Sequence, residues 1–180
     1  MRGAAAVVAG LTLTGCAALA PPAPGPVLGG RIAVQVDAPD GGTPQSLSAH
    51  FELAGNAERG SLSLSTPFGT QLGQANWALP GDVTLVRAGG ARAAYPDLDT
   101  LTRELLGEAV PVGALFDWLA GRPWPAAPAT PAQPPVTRGF RQLGWQVDLD
   151  RAGDGLIVAR RDAPPPVTVR ARLDIPPPTP

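Results

Sequence analysis

The chain has 180 residues, 44 % of them hydrophobic, and a mean hydropathy of +0.05, enough for one ordinary domain with a real core. All 14 basic residues are arginine, and 15 acids bring the formal charge to −1, a balance that argues against a nucleic-acid grip and against a polybasic membrane patch. One cysteine, Cys16, and one histidine, His50, exclude intramolecular disulfides, Cys/His zinc sites and c-type haem attachment.

The first element is a processing signal. Arg2 opens a short basic region, an apolar run follows from Ala4 to Leu13, and small residues close it. The run is too short to cross a bilayer core of about 30 Å, which takes roughly 20 residues. Leu13-Thr14-Gly15-Cys16 resembles the lipobox of bacterial lipoproteins, which implies cleavage before Cys16 and a covalent N-acyl diacylglycerol on that cysteine. Two or more acyl chains, at roughly 0.8 kcal/mol per buried methylene, anchor a protein durably where one chain is marginal. Residues 1–15 then form a signal peptide and 16–28 a lipidated, proline-rich tether. Ala17, where inner-membrane lipoproteins often carry aspartate, resembles an outer-membrane address.

From Arg31 the pattern turns to period two, the signature of half-buried strands. Ile32, Val34 and Val36 share a face, as do Leu47, Ala49, Phe51 and Leu53 opposite Ser46, Ser48, His50 and Glu52. Leu62 and Leu64 alternate with serines, and an extended run follows Pro67-Phe68-Gly69 from Thr70 to Leu79, giving a hairpin with a protruding turn. A strand over Asp82 to Arg87, a Gly89-Gly90 turn and a short strand ending at Tyr95 complete an antiparallel meander.

Asp97 can cap a helix carrying Leu98, Leu101, Leu105 and Leu106 at helical spacing, with Gly107 as its stop. A second helix starts near Pro111, carries Leu115, Phe116, Trp118 and Leu119, and ends by Gly121 and Pro123. Pro123 to Pro135 holds six prolines and reads as an extended connection without regular structure. Strands resume with Trp145, Val147 and Leu149, a Gly153-Asp154-Gly155 turn and a return over Leu156 to Arg160. After Pro164-Pro165-Pro166, alternation from Val167 to Ile175 marks a last strand, and 177–180 is a proline-rich tail. The expected fold is mainly β with an α lid: an incomplete antiparallel barrel, 29–176, whose two short helices cover an apolar face.

Catalytic candidates are few. His50 falls on the polar face of its strand, and no Gly-x-Ser-x-Gly elbow or Walker motif is present. Asp97, Asp99, Glu104 and Glu108 could suggest a hard cation, but acids also favour a helix N-terminus in their own right. The pattern therefore points away from an enzyme and toward apolar surface. A curved sheet under short helices can leave a hydrocarbon-sized cavity. Alternation and helical faces nominate Val34, Phe51, Leu64, Leu72, Leu101, Leu105, Phe116 and Leu119 as its walls. Trp77, Trp118 and Trp145 fit core packing or cavity lining equally. Phe68, in Ser65-Thr66-Pro67-Phe68-Gly69-Thr70, sits at a turn that leaves two outcomes: a ring folded back on the sheet, or an exposed apolar tip.

Five segments together resemble the outer-membrane lipoprotein receptor LolB family: Gly29-Gly30-Arg31-Ile32-Ala33-Val34, Leu62-Ser63-Leu64-Ser65-Thr66-Pro67-Phe68-Gly69, Leu105-Leu106-Gly107 with Val110-Pro111-Val112, Trp118-Leu119 with Gly121 and Pro123, and Gly144-Trp145 with Val147. The resemblance implies a half-barrel that accepts acylated lipoproteins from a LolA-like periplasmic chaperone and inserts them into the inner leaflet of the outer membrane. It also implies that the Pro67-Phe68-Gly69 loop promotes insertion. No cofactor beyond the Cys16 lipid, no nucleic acid and a monomeric state are expected. A triacylated cysteine with about 40 methylenes, at roughly 0.8 kcal/mol each, cannot cross water unaided, and graded apolar sites move it without nucleotide hydrolysis. The proline-rich Pro123–Pro135 stretch and the end of the chain depart from the family pattern. The alternative reading is an outer-membrane lipoprotein that binds a lipid or partner protein without passing cargo on; a lipid-cleaving enzyme would have only His50 to offer.

Overall fold

A computed structural model describes residues 27–38 and 43–174. The signal peptide, Cys16, most of the tether and Ile175 to Pro180 lie outside the described residues. Eleven strands form one antiparallel sheet: β1 (Val27–Val36), β2 (Gln45–Gly55), β3 (Arg59–Ser65), β4 (Gln71–Ala78), β5 (Asp82–Arg87), β6 (Arg92–Tyr95), β7 (Ala129–Pro131), β8 (Gly139–Gln142), β9 (Trp145–Asp148), β10 (Leu156–Arg161) and β11 (Val167–Leu173). The spatial order is β6-β5-β4-β3-β2-β1-β11-β10-β9-β8-β7, so pairing of β1 with β11 joins two meanders into one curved sheet. The outer edges of β6 and β7 do not meet, which leaves the barrel incomplete. Two helices, α1 (Leu98–Leu106) and α2 (Val112–Leu119), lie between those edges in the chain and cover the concave face.

Period-two alternation sets the faces. Ile32, Val34 and Val36 of β1 stand in register with Ala171, Val169 and Val167 of β11, and all six are buried. The same registers carry the inner face outward through Leu53 opposite Leu62, Leu62 opposite Ala75, and Ala75 opposite Leu85. A Cβ on Gly30 would overlap the Arg172 carbonyl oxygen, so only glycine lets β1 and β11 approach this closely.

Helix α1 begins as the sequence indicates. The Asp97 side chain accepts the Thr100 backbone N–H at 2.6 Å, and this bond holds the carboxyl below its ordinary range. Gly107, at φ 77°, closes the helix by donating its N–H to the Arg103 carbonyl. Helix α2 buries Val112, Ala114, Leu115, Phe116, Trp118 and Leu119, almost its whole circumference, as a short helix held between a sheet and a second helix must.

Three sequence expectations are corrected. Strand β1 begins at Val27, so Val27 and Leu28 belong to the sheet and not to the tether. The proline-rich connection contains β7, and β8 follows it where no strand was expected. Buried Gln142 holds this region: its amide oxygen accepts the Trp118 Nε1–H at 2.8 Å and the Trp124 N–H at 2.9 Å, while its nitrogen donates to the Trp124 and Ala127 carbonyls at 2.7 Å each. Proline limits the backbone donors of the segment, and one side chain supplies the pairing that a ladder would.

Candidate functional site

The two helices do not seal onto the sheet everywhere. Between α1, the start of α2 and strands β1 to β5 lies a cavity of ≈ 460 Å³, within the usual 300–1,000 Å³ of small-ligand pockets. Its floor is built by inward residues of the sheet, among them Val34, Leu64, Ala75 and Leu85, and its roof by Leu98, Leu101, Leu105 and Leu115. Small side chains make the space: Gly73 and Ala75 sit opposite Leu64 and Leu62, so β4 presents little volume where α1 passes over it. Polar groups are confined to Gln45, Ser46, Arg87 and Thr102.

The exposed lining residues mark the mouth. Gln45 and Ser46 open β2, Leu72 lies near the start of β4, and Arg87 ends β5 with Ala88 just after it, all at one end of the antiparallel sheet, with Leu105 on the lid above. The turn joining β3 to β4 projects from that same end. There Thr66 N–H bonds the Thr70 carbonyl, Gly69 N–H bonds the Thr66 carbonyl, and Gly69 adopts φ 82°, a conformation suited to glycine. Phe68, at the apex, is 96 % exposed, so the ring does not fold back on the sheet. Leu72, 39 % exposed, and Leu105, 44 % exposed, add apolar surface at the cavity rim.

Five of the eight nominated wall residues, Val34, Leu64, Leu72, Leu101 and Leu105, line the cavity. Phe51, Phe116 and Leu119 do not: they are buried in the solid core, where Phe116 meets Trp77 edge to face at 6.1 Å between ring centroids. Periodicity identifies the inward face but not the depth along it, and large rings fill space instead of bounding it. Trp118 and Trp145 likewise pack together in the core, 6.1 Å apart. Ile32, Leu62 and Leu85 also line the cavity; Ile32 and Leu62 stand on the alternating apolar faces of the sequence, and Leu85 lies within the strand expected over Asp82 to Arg87.

Two ion pairs fasten the lid to opposite sides of the sheet. At the mouth, Arg87 Nη2 donates to Glu104 Oε1 at 2.9 Å and to the Tyr95 hydroxyl at 3.2 Å, and that hydroxyl donates to the same carboxylate at 2.8 Å. Tyr95 first, and Glu104 after it, raise the Arg87 pKa above its ordinary value. At the same strand end but on the other flank of the sheet, Arg161 of β10 donates to Glu108, after α1, at 2.7 Å and stacks over the Trp145 ring. Asp97 thus caps α1 while Glu104 and Glu108 pair with separate arginines, and among the described residues no group of three metal-ligating side chains gathers.

Comparison with known proteins accounts for this architecture. The family model described as "Outer membrane lipoprotein LolB" matches residues 27–174. The chain belongs to the LolB family. It is 34 % identical over 164 residues to the outer-membrane lipoprotein LolB of Bordetella petrii, covering 84 % of this chain and 81 % of that one. The LolB of Thiobacillus denitrificans is 33 % identical over 161 residues, covering 82 % and 83 %. That of Cupriavidus metallidurans is 30 % identical over 141 residues, covering 74 % and 64 %. The LolB match begins at the first residue of β1 and ends just after β11, so it spans the whole described sheet and both lid helices.

Proposed function

We propose that this protein is a lipid-anchored acceptor in the outer membrane, facing the periplasm, that takes acylated lipoproteins from a LolA-like chaperone and passes them to the inner leaflet. The observation that carries this reading is the apolar cavity opening at the same end of the sheet as the exposed Phe68. Hydrocarbon entering the cavity is held by burial alone, at roughly 25 cal/mol per Å² of apolar surface, so no nucleotide and no catalytic group takes part. Cys16 carries the anchoring lipid in this reading, and Phe68 enters the leaflet interface while the neighbouring mouth releases the acyl chains.

Membership of a family of outer-membrane lipoproteins supports the localisation, and the lipobox-like Leu13-Thr14-Gly15-Cys16 supports the anchor. A reconstituted transfer assay with LolA-bound cargo and liposomes tests the division of labour. Phe68→Glu is expected to fold and accept cargo from the chaperone but to lose insertion. Normal insertion by Phe68→Glu sinks the tip assignment. Uptake of a fatty acid without uptake of a lipoprotein favours the reading as a lipid-binding lipoprotein with no transfer role.

A further inference from the structure

The near-neutral total charge conceals a local concentration that only the sheet register reveals. On the convex face, Arg31 of β1 stands directly opposite Arg172 of β11. Arg170 follows two residues along the same face, and Arg160 of β10 pairs with Thr168, which places it diagonally beside Arg170. Gln146 links Arg160 across to Arg141 of β8. All five arginines are exposed, and among the described residues none forms an ion pair, a state they share with Arg59, Arg92, Arg103 and Arg138 but not with Arg87, Arg122, Arg151 and Arg161. Asp148 lies within this area and Asp37, Glu52 and Asp174 at its margins, none within 4.0 Å of these guanidiniums.

Like charges directly opposite on a sheet are destabilising, with side chains separated by about 5 Å. An arrangement with that cost calls for an anion. Arginine's planar fork matches phosphate oxygens bidentately, and each basic residue held near an anionic membrane surface contributes about 1 kcal/mol of attraction. A protein partner fits less well, since interfaces between proteins centre on buried aromatic or aliphatic anchors. Around these arginines stand Ser48, Gln146 and Thr168, together with the half-buried Ala33 and Leu156 and the buried Val158; one exposed large hydrophobic, Val27, shares the face four residues before Arg31, and Phe68, Leu72, Leu79, Leu105 and Leu143 lie off these rows. The row through Arg172 and Arg31 continues through His50 to Ser65, the residue at the base of the Phe68 turn.

We infer that this arginine face is a docking surface for the anionic phospholipid headgroups of a bilayer. It deepens the proposed acceptor role by giving the domain an orientation on the membrane beyond that of its tether. The test uses the full chain carrying Cys16→Ala, so that the anchor does not mask weaker binding, in co-sedimentation with vesicles of phosphatidylethanolamine and phosphatidylglycerol or of phosphatidylcholine alone. Binding is expected to the anionic vesicles only and to weaken as salt is raised. Each of Arg31→Gln and Arg172→Gln is expected to cut it about fivefold, and Arg151→Gln, a paired arginine elsewhere, to leave it unchanged. Neither Gln variant should lower the melting temperature, because each relieves a like-charge pair; a structural role would lower it. Equal binding to both vesicle types, undiminished binding by the Arg31→Gln and Arg172→Gln variants, or a salt-sensitive complex with an acidic protein in place of the vesicles would overturn the inference. These outcomes separate from failure of the acceptor role, which is read by cargo transfer.

Discussion

Gln142 shows how much a single side chain can hold. Its amide uses both lone pairs and both hydrogens, joining α2 through Trp118 to the proline-rich segment through Trp124 and Ala127. Removing the amide leaves the buried indole N–H of Trp118, a residue 1 % exposed, without a partner, at about 1–3 kcal/mol for each buried group left unsatisfied. Gln142→Leu is therefore expected to destabilise by about 3 kcal/mol, seen as a lower urea midpoint with an unchanged slope. Gln142→Glu should cost at least as much, because it keeps the two acceptor contacts but turns a carboxylate oxygen toward two carbonyls. A Leu variant as stable as the parent would mean that water replaces the amide.

The elements that period two or helical spacing describes fully are the ones legible in the sequence. Strands β1 to β6, β9 to β11 and both helices follow from alternating or i, i+3, i+4 apolar residues, and the Asp97 and Gly107 caps stand where residue type put them. Strands β7 and β8 were hidden for a physical reason. Strand β7 is a three-residue exposed edge ending in proline, and β8 places a buried glutamine where alternation would need an apolar residue. The Phe68 exposure was open in the sequence because a turn fixes backbone direction, not the rotamer of its apex. The lid attachments were illegible as well, since Glu108 and Arg161 are 53 residues apart. That pair is the element-scale prediction: both side chains are largely buried, and Arg161 Nε has no partner of its own. Breaking a fully buried pair from one side costs about 3–5 kcal/mol, and partial exposure here reduces this to about 2 kcal/mol for Glu108→Ala. The double variant Glu108→Ala/Arg161→Met should recover most of the loss, because no unpaired charge remains. Additive losses in the double-mutant cycle would show that the two residues act independently.

At the scale of the whole molecule, the cavity and the stability of the domain oppose one another. A sheet of eleven strands with buried apolar residues along β1, β2, β5 and β11 has the material for a filled core, yet β4 supplies Gly73 and Ala75 beneath α1 and leaves ≈ 460 Å³ open. Packing contacts are forgone there, as expected where function requires empty space. Ala75 stands between Leu62 and Leu85 across its two neighbouring strands, with its side chain toward the cavity. Ala75→Leu adds three carbons to that space without touching the mouth, the Phe68 turn or either ion pair. At roughly 0.8 kcal/mol per buried methylene, less the entropy of ordering the side chain, it should stabilise by about 1 kcal/mol. In a domain of this size that corresponds to a melting temperature higher by about 2–4 °C. The same substitution should weaken binding of a fluorescent fatty-acid probe, because the added side chain occupies volume that the acyl chain needs. The two measurements must move in opposite directions: a variant that melts lower and binds the probe as before would show that the space under α1 is neither a packing deficit nor the place where hydrocarbon is held.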